Sequence, residues 1–104
     1  MFYLNPYAGL FSSLNSKFRT GEYINDTNTY ASMGDILASG YYRMGTTFMG
    51  AVSDKPVNAG GILRVIKADV MYQQTFFANA NASIFVRFKS GSGDWTAWKQ
   101  LTLS

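Results

Sequence analysis

The chain has 104 residues, enough for one domain with a short appendage, and it holds neither cysteine nor histidine. Disulfide and thiol chemistry are excluded, as are the usual general base and the commonest metal ligand. Its residues are 16% aromatic and only 14% charged, with a dispersed net charge of +3, and no run approaches the ~18 apolar residues of a membrane span.

Residues 1 to 20 differ in character from the rest. Asn5-Pro6 is a helix start, with Asn as N-cap and Pro at the first helical position. Tyr7, Phe11, Leu14 and Phe18 follow at spacings of 4, 3 and 4, an apolar seam that Leu10 widens. Gly9 weakens this helix by about 1 kcal/mol, so it needs a partner surface, in its own domain or in a neighbouring subunit. The polar stretch 20–31 is read as a connector with a short strand at Glu22-Tyr23-Ile24. Asp35 then caps a single turn carrying Ile36 and Leu37, ended by Gly40. Two segments result, 1–32 and 33–104.

From Gly40 the pattern is that of an antiparallel meander. The expected strands are Tyr41 to Met44, Ile62 to Lys67 and Val70 to Phe77, with a long irregular loop over 45–60. In the last third, Ile84, Val86 and Phe88 alternate with Phe85, Arg87 and Lys89, the period of a half-buried strand. Ser90-Gly-Ser-Gly-Asp94 reverses the chain, and Trp95, Trp98 and Leu101 return as a second arm. Their spacing of three does not suit a flat strand with one buried face, so a bulge or two covered faces is expected. The fold class is mainly β, a small antiparallel meander sheet or sandwich with a short N-terminal helix.

Little charge leaves little solvated surface, and interfaces are enriched in Tyr, Phe, Trp and Met. Burial of aromatic surface against another copy is therefore the expectation, against a compact monomer with an aromatic-rich core. The N-terminus lacks a basic stretch followed by an apolar run, so the chain reads as soluble, without a signal peptide or membrane insertion.

Five blocks in order resemble the pyocin-knob family of phage tail-fibre and R-type pyocin-fibre domains. They are Gly40-Tyr-Tyr-Arg43, Gly60-Gly-Ile-Leu-Arg-Val65 after Pro56, Tyr72-Gln-Gln-Thr-Phe76, Ile84-Phe-Val-Arg-Phe88, and Trp95-Thr-Ala-Trp-Lys-Gln-Leu101. Phe85 stands where the family pattern has Tyr. The resemblance covers 33–104 and implies a homotrimeric element of a virion's tail fibre, made in the host cytoplasm. Other tail-fibre or baseplate proteins and host cell-surface polysaccharide or lipopolysaccharide would be its partners. It supplies no catalytic motif to carry over.

The residues agree with a chain that recognises without transforming. A glycan hydrolase needs two carboxylates flanking one bond, and most acidic residues here fall in predicted turns or caps. No catalytic residue, metal ligand or cofactor is expected. Arg64, Arg87, Lys89 and Lys99 interleave with aromatics as on nucleic-acid platforms, but a charge at every second position also describes a solvated sheet face, and no nucleic-acid partner is assigned. Tyr42, Arg87, Trp95 and Trp98 are assigned structural roles, with one Trp in the core and the other at a subunit interface or closing the hairpin. Of Gln73 and Gln74, one is inward and bonded. Ligand contacts are expected from loops, at Asp54, Lys55, Asn58, Asn79 and Asn81, with Thr46 and Thr47 nearby. Replacing Trp98 by Ala is expected to cost about 3–5 kcal/mol in chemical denaturation if it is core.

Overall fold

The computed structural model describes residues 19–101, so the helix expected over residues 5–20 lies outside the described residues. Those residues form one six-stranded sheet in sequential order, β1 (Arg19–Ile24), β2 (Gly40–Met44), β3 (Gly61–Ala68), β4 (Met71–Ala78), β5 (Ile84–Ser90) and β6 (Lys99–Leu101). The pairings from β2 to β6 are antiparallel, as the meander reading requires. The first is not. β1 runs parallel to β2, which makes the sheet mixed. The 15 residues 25–39 between them are long enough for the crossover that a parallel pair demands.

The sheet is covered on one side by irregular chain. Ile24, Tyr42, Met44, Leu63, Val65, Phe76 and Ala78 point to that side and are buried with Met33, Ile36, Phe48, Met49 and Val52 from the connections. Burying a side chain of this size stabilises by about 1.5–3 kcal/mol. The Tyr42 hydroxyl donates to the Ala38 carbonyl, so the one polar atom of this core ring is bonded.

The connection read as an irregular loop over 45–60 carries a helix, α1 (Thr46–Ala51), whose Phe48 and Met49 enter the core. A six-residue helix is too short to announce itself by periodicity. Asn25, from the end of β1, caps it: Oδ1 accepts from the Thr47 and Phe48 backbone N–H groups at 3.0 and 3.4 Å. The turn at 33–37 is a 3₁₀ turn, Met33–Asp35, and Asp35 does not cap it. Asp54 does, accepting from the Met33 and Gly34 N–H groups at 3.0 and 2.7 Å.

The two-Trp hairpin also differs. Only Lys99–Leu101 is strand, and residues 95–98 leave the sheet edge and fold over the covered side. Thr96 marks the departure, its N–H donating to the Phe88 carbonyl and its hydroxyl accepting from the Phe88 N–H. The spacing of three between the tryptophans reflects this excursion.

Gly61 is where β3 has no room for a side chain. A Cβ there would lie 2.2 Å from the Phe77 carbonyl oxygen and 3.0 Å from the Phe76 ring. Gly61→Ala is therefore expected to destabilise by about 1–3 kcal/mol, read as a lower urea midpoint at unchanged m-value.

Candidate functional site

Two places gather polar chemistry. The first is built on β5, whose alternation sets Phe85, Arg87 and Lys89 toward the covered side and leaves Phe88 44% exposed. Arg87 is only 4% exposed. Its Nε donates to Gln74 Oε1 at 2.9 Å, and Nη2 pairs with Asp54 Oδ2 at 3.1 Å. The Trp95 and Trp98 rings lie 4.5 and 4.4 Å from the guanidinium carbon. Both tryptophans thus serve one cation, and Trp98 also packs against the core. The Trp98 indole N–H donates to the Asp54 carbonyl at 2.7 Å. The inward glutamine is Gln74, whose Nε2 donates to the Met33 and Ile36 carbonyls. Burial pushes the Arg87 pKa below its usual value, while the hydrogen bond and negative charge of Asp54 oppose that shift. This node binds five separate parts of the chain together: the turn at Met33, the loop at Asp54, β4, β5 and the segment that carries both tryptophans.

The second place is a groove of about 690 Å³ at the end of the sheet where β2 meets its connection to α1. Tyr23, Arg43, Ile62, Phe77 and Ile84 line it from the sheet, and Thr46, Asn79 and Ser83 from the connections. The Arg43 guanidinium lies 4.5 Å from the Tyr23 ring centroid. The Asn79 N–H donates to the Gly60 carbonyl and draws the β4–β5 connection against the end of the α1 loop.

The five expected ligand residues do not gather in one site. Asp54 faces the Arg87 node, where both carboxylate oxygens accept hydrogen bonds. Lys55 turns its Nζ onto the Val52 carbonyl at 2.6 Å. Asn58 is exposed on the α1 loop. Asn79 lines the groove, and Asn81 lies in the adjoining 3₁₀ turn, Ala80–Ala82. Sequence reasoning did not reach Tyr23, Arg43 and Phe77 as groove residues, because the parallel β1–β2 register that juxtaposes Tyr23 and Arg43 has no local signature. Among the described residues no three of His, Cys, Asp and Glu are placed to hold a metal ion, and no helix is long and apolar enough to cross a membrane.

No family model and no curated protein matches this chain. Solved structures do. An N-truncated R2-type pyocin tail fibre aligns with a TM-score of 0.65 at 16% identity, over 86% of this chain and 34% of that one. The P. aeruginosa R2 pyocin fibre, as its C-terminal part, aligns with a TM-score of 0.67 at 17% identity, over 86% of this chain and 25% of that one. The fold is that of a pyocin-fibre domain. The chain spans between a quarter and about a third of the pyocin fibre chains it matches. At such identity the likeness is one of fold.

Substitutions at Asp54 and Arg87 test the node. Asp54→Ala strands a buried cation and is expected to cost about 3–5 kcal/mol in urea denaturation. Asp54→Ala combined with Arg87→Met is expected to cost less than the sum of the two single changes, because their partnership is counted in each.

Proposed function

We propose that this chain is a non-catalytic tail-fibre domain of a phage or phage-tail-like particle. It acts as a homotrimer and attaches the particle to a glycan on the host cell surface. The observation that carries the reading is the pyocin-fibre fold over 86% of the chain. The pyocin-type particle supplies the remaining partners, other tail-fibre or baseplate proteins, and the virion as its location.

The glycan is argued from the groove and its surroundings. A volume of about 690 Å³ is within the range of small-ligand sites. Sugars present hydroxyl groups and apolar ring faces. Thr46, Asn79 and Ser83 offer hydroxyl and amide partners, while Tyr23 and Phe77 offer rings. Asn58 and Asn81 stand on the two connections that bound this end of the sheet. One such site is weak, and three on a common axis raise apparent affinity through effective concentration.

A purely structural knob without receptor contact is the alternative. It is favoured by the engagement of Asp54 and Lys55 in internal hydrogen bonds. Binding of the fluorescently labelled protein to host cells separates the two. Staining is expected, and is expected to fall when Asn58, Asn79 and Asn81 are changed together to Ala without loss of the melting transition. An intact fibre that binds cells while this domain does not selects the structural knob.

A further inference from the structure

The side of the sheet opposite the core is apolar, and in this chain the described residues leave it open. Strand register sorts its side chains into rows. Tyr23, Arg43, Ile62, Phe77, Ile84 and Leu101 form the row at the groove end. Tyr41, Arg64, Thr75, Val86 and Lys99 form the next. Ile66, Gln73 and Phe88 form a third, and Met71 stands in the last. Tyr23, Ile62, Met71, Phe88 and Leu101 are each 44–52% exposed. A one-sided antiparallel sheet ordinarily turns polar residues to water on its free face, whereas here apolar side chains outnumber the polar Arg43, Arg64, Gln73, Thr75 and Lys99, the mark of a contact.

We propose that this face is the contact between copies of the chain, centred on Ile66, Met71, Val86 and Phe88. This rests on the homotrimer reading for the number of copies, and on the strand register for the surface. Size decides the occupant. Six strands of up to eight residues span about 24 by 26 Å, about 600 Å². A single helix of five turns would cover a strip of about 27 by 10 Å, under half of the face. A second copy is large enough, since a standard interface takes about 800 Å² from each partner.

The centre of the face also carries an unmet polar demand. Arg64 Nη2 donates to Gln73 Oε1 and Thr75 Oγ1, both at 3.2 Å, and its Nε is buried with no hydrogen-bond partner among the described residues. A buried unpaired donor is destabilising, and an amide or carbonyl oxygen arriving from a second copy would relieve it. Arginine set among apolar side chains is a usual anchor of such contacts. The first row also lines the groove, and the proposed contact is centred on the opposite end of the strands, at Ile66, Met71 and Phe88.

The absence of cysteine allows a direct test. Phe88→Cys and Asn58→Cys place one thiol on the open face or on an exposed loop. The mass of each full chain is measured by light scattering at micromolar concentration, and its thiol is titrated with a maleimide. The expected result is a multiple of 11.5 kDa for both, with the thiol at 88 reacting about tenfold or more slowly, since it opens only by dissociation. A monomer overturns the proposal, whether its thiol at 88 is protected, which assigns the face to the chain's own N-terminal segment, or free. An oligomer with a reactive thiol at 88 overturns it too, by placing the contact elsewhere. A protected oligomer that fails to stain host cells leaves the interface standing and removes the receptor reading.

Discussion

The rest of the structure depends on the burial of one guanidinium. A cation enters a low-dielectric interior only if its charge is offset and its donors are met. Arg87 meets the requirement with Asp54, the Gln74 carbonyl oxygen and two indole faces. Each partner has a second task. Asp54 caps the 3₁₀ turn and its carbonyl receives the Trp98 indole. Gln74 ties β4 to both ends of that same turn. The irregular chain that covers the sheet, which has few regular hydrogen bonds of its own, is held by these side chains.

The node also sets which side of the sheet is which. With Arg87 and Gln74 inward, the alternation of β4 and β5 sends Phe77, Ile84, Val86 and Phe88 outward. The opposite choice would solvate Arg87 and expose Phe76 and Phe85, which pack in the core. In the arrangement seen here the polar centre fixes the fold, and Phe88 stays 44% exposed on the other face.

Much of the framework was legible in the sequence. The β-branched run at 62–67 and the two-residue turn before Val70 fix a hairpin by local chemistry, and Asp69 adopts the left-handed backbone, at φ 54°, that its residue type tolerates. Period-2 alternation likewise locates β4 and β5. Such patterns act between near neighbours, so they survive without tertiary context.

Tertiary structure alone decided what joins distant segments. Period-2 alternation marks two faces but not the inward one, because a guanidinium between two indoles competes with a row of aliphatic side chains and here prevails. Asp54 reads as a solvated loop carboxylate until the fold sets it against amides 20 and 21 residues away. The parallel register of β1, which pairs Tyr23 with Arg43 and makes the groove, depends on how the 25–39 crossover packs, and no short window of sequence contains that information. Local chemistry determined the strands of this protein. Long-range electrostatics and packing determined their faces and the site between their ends.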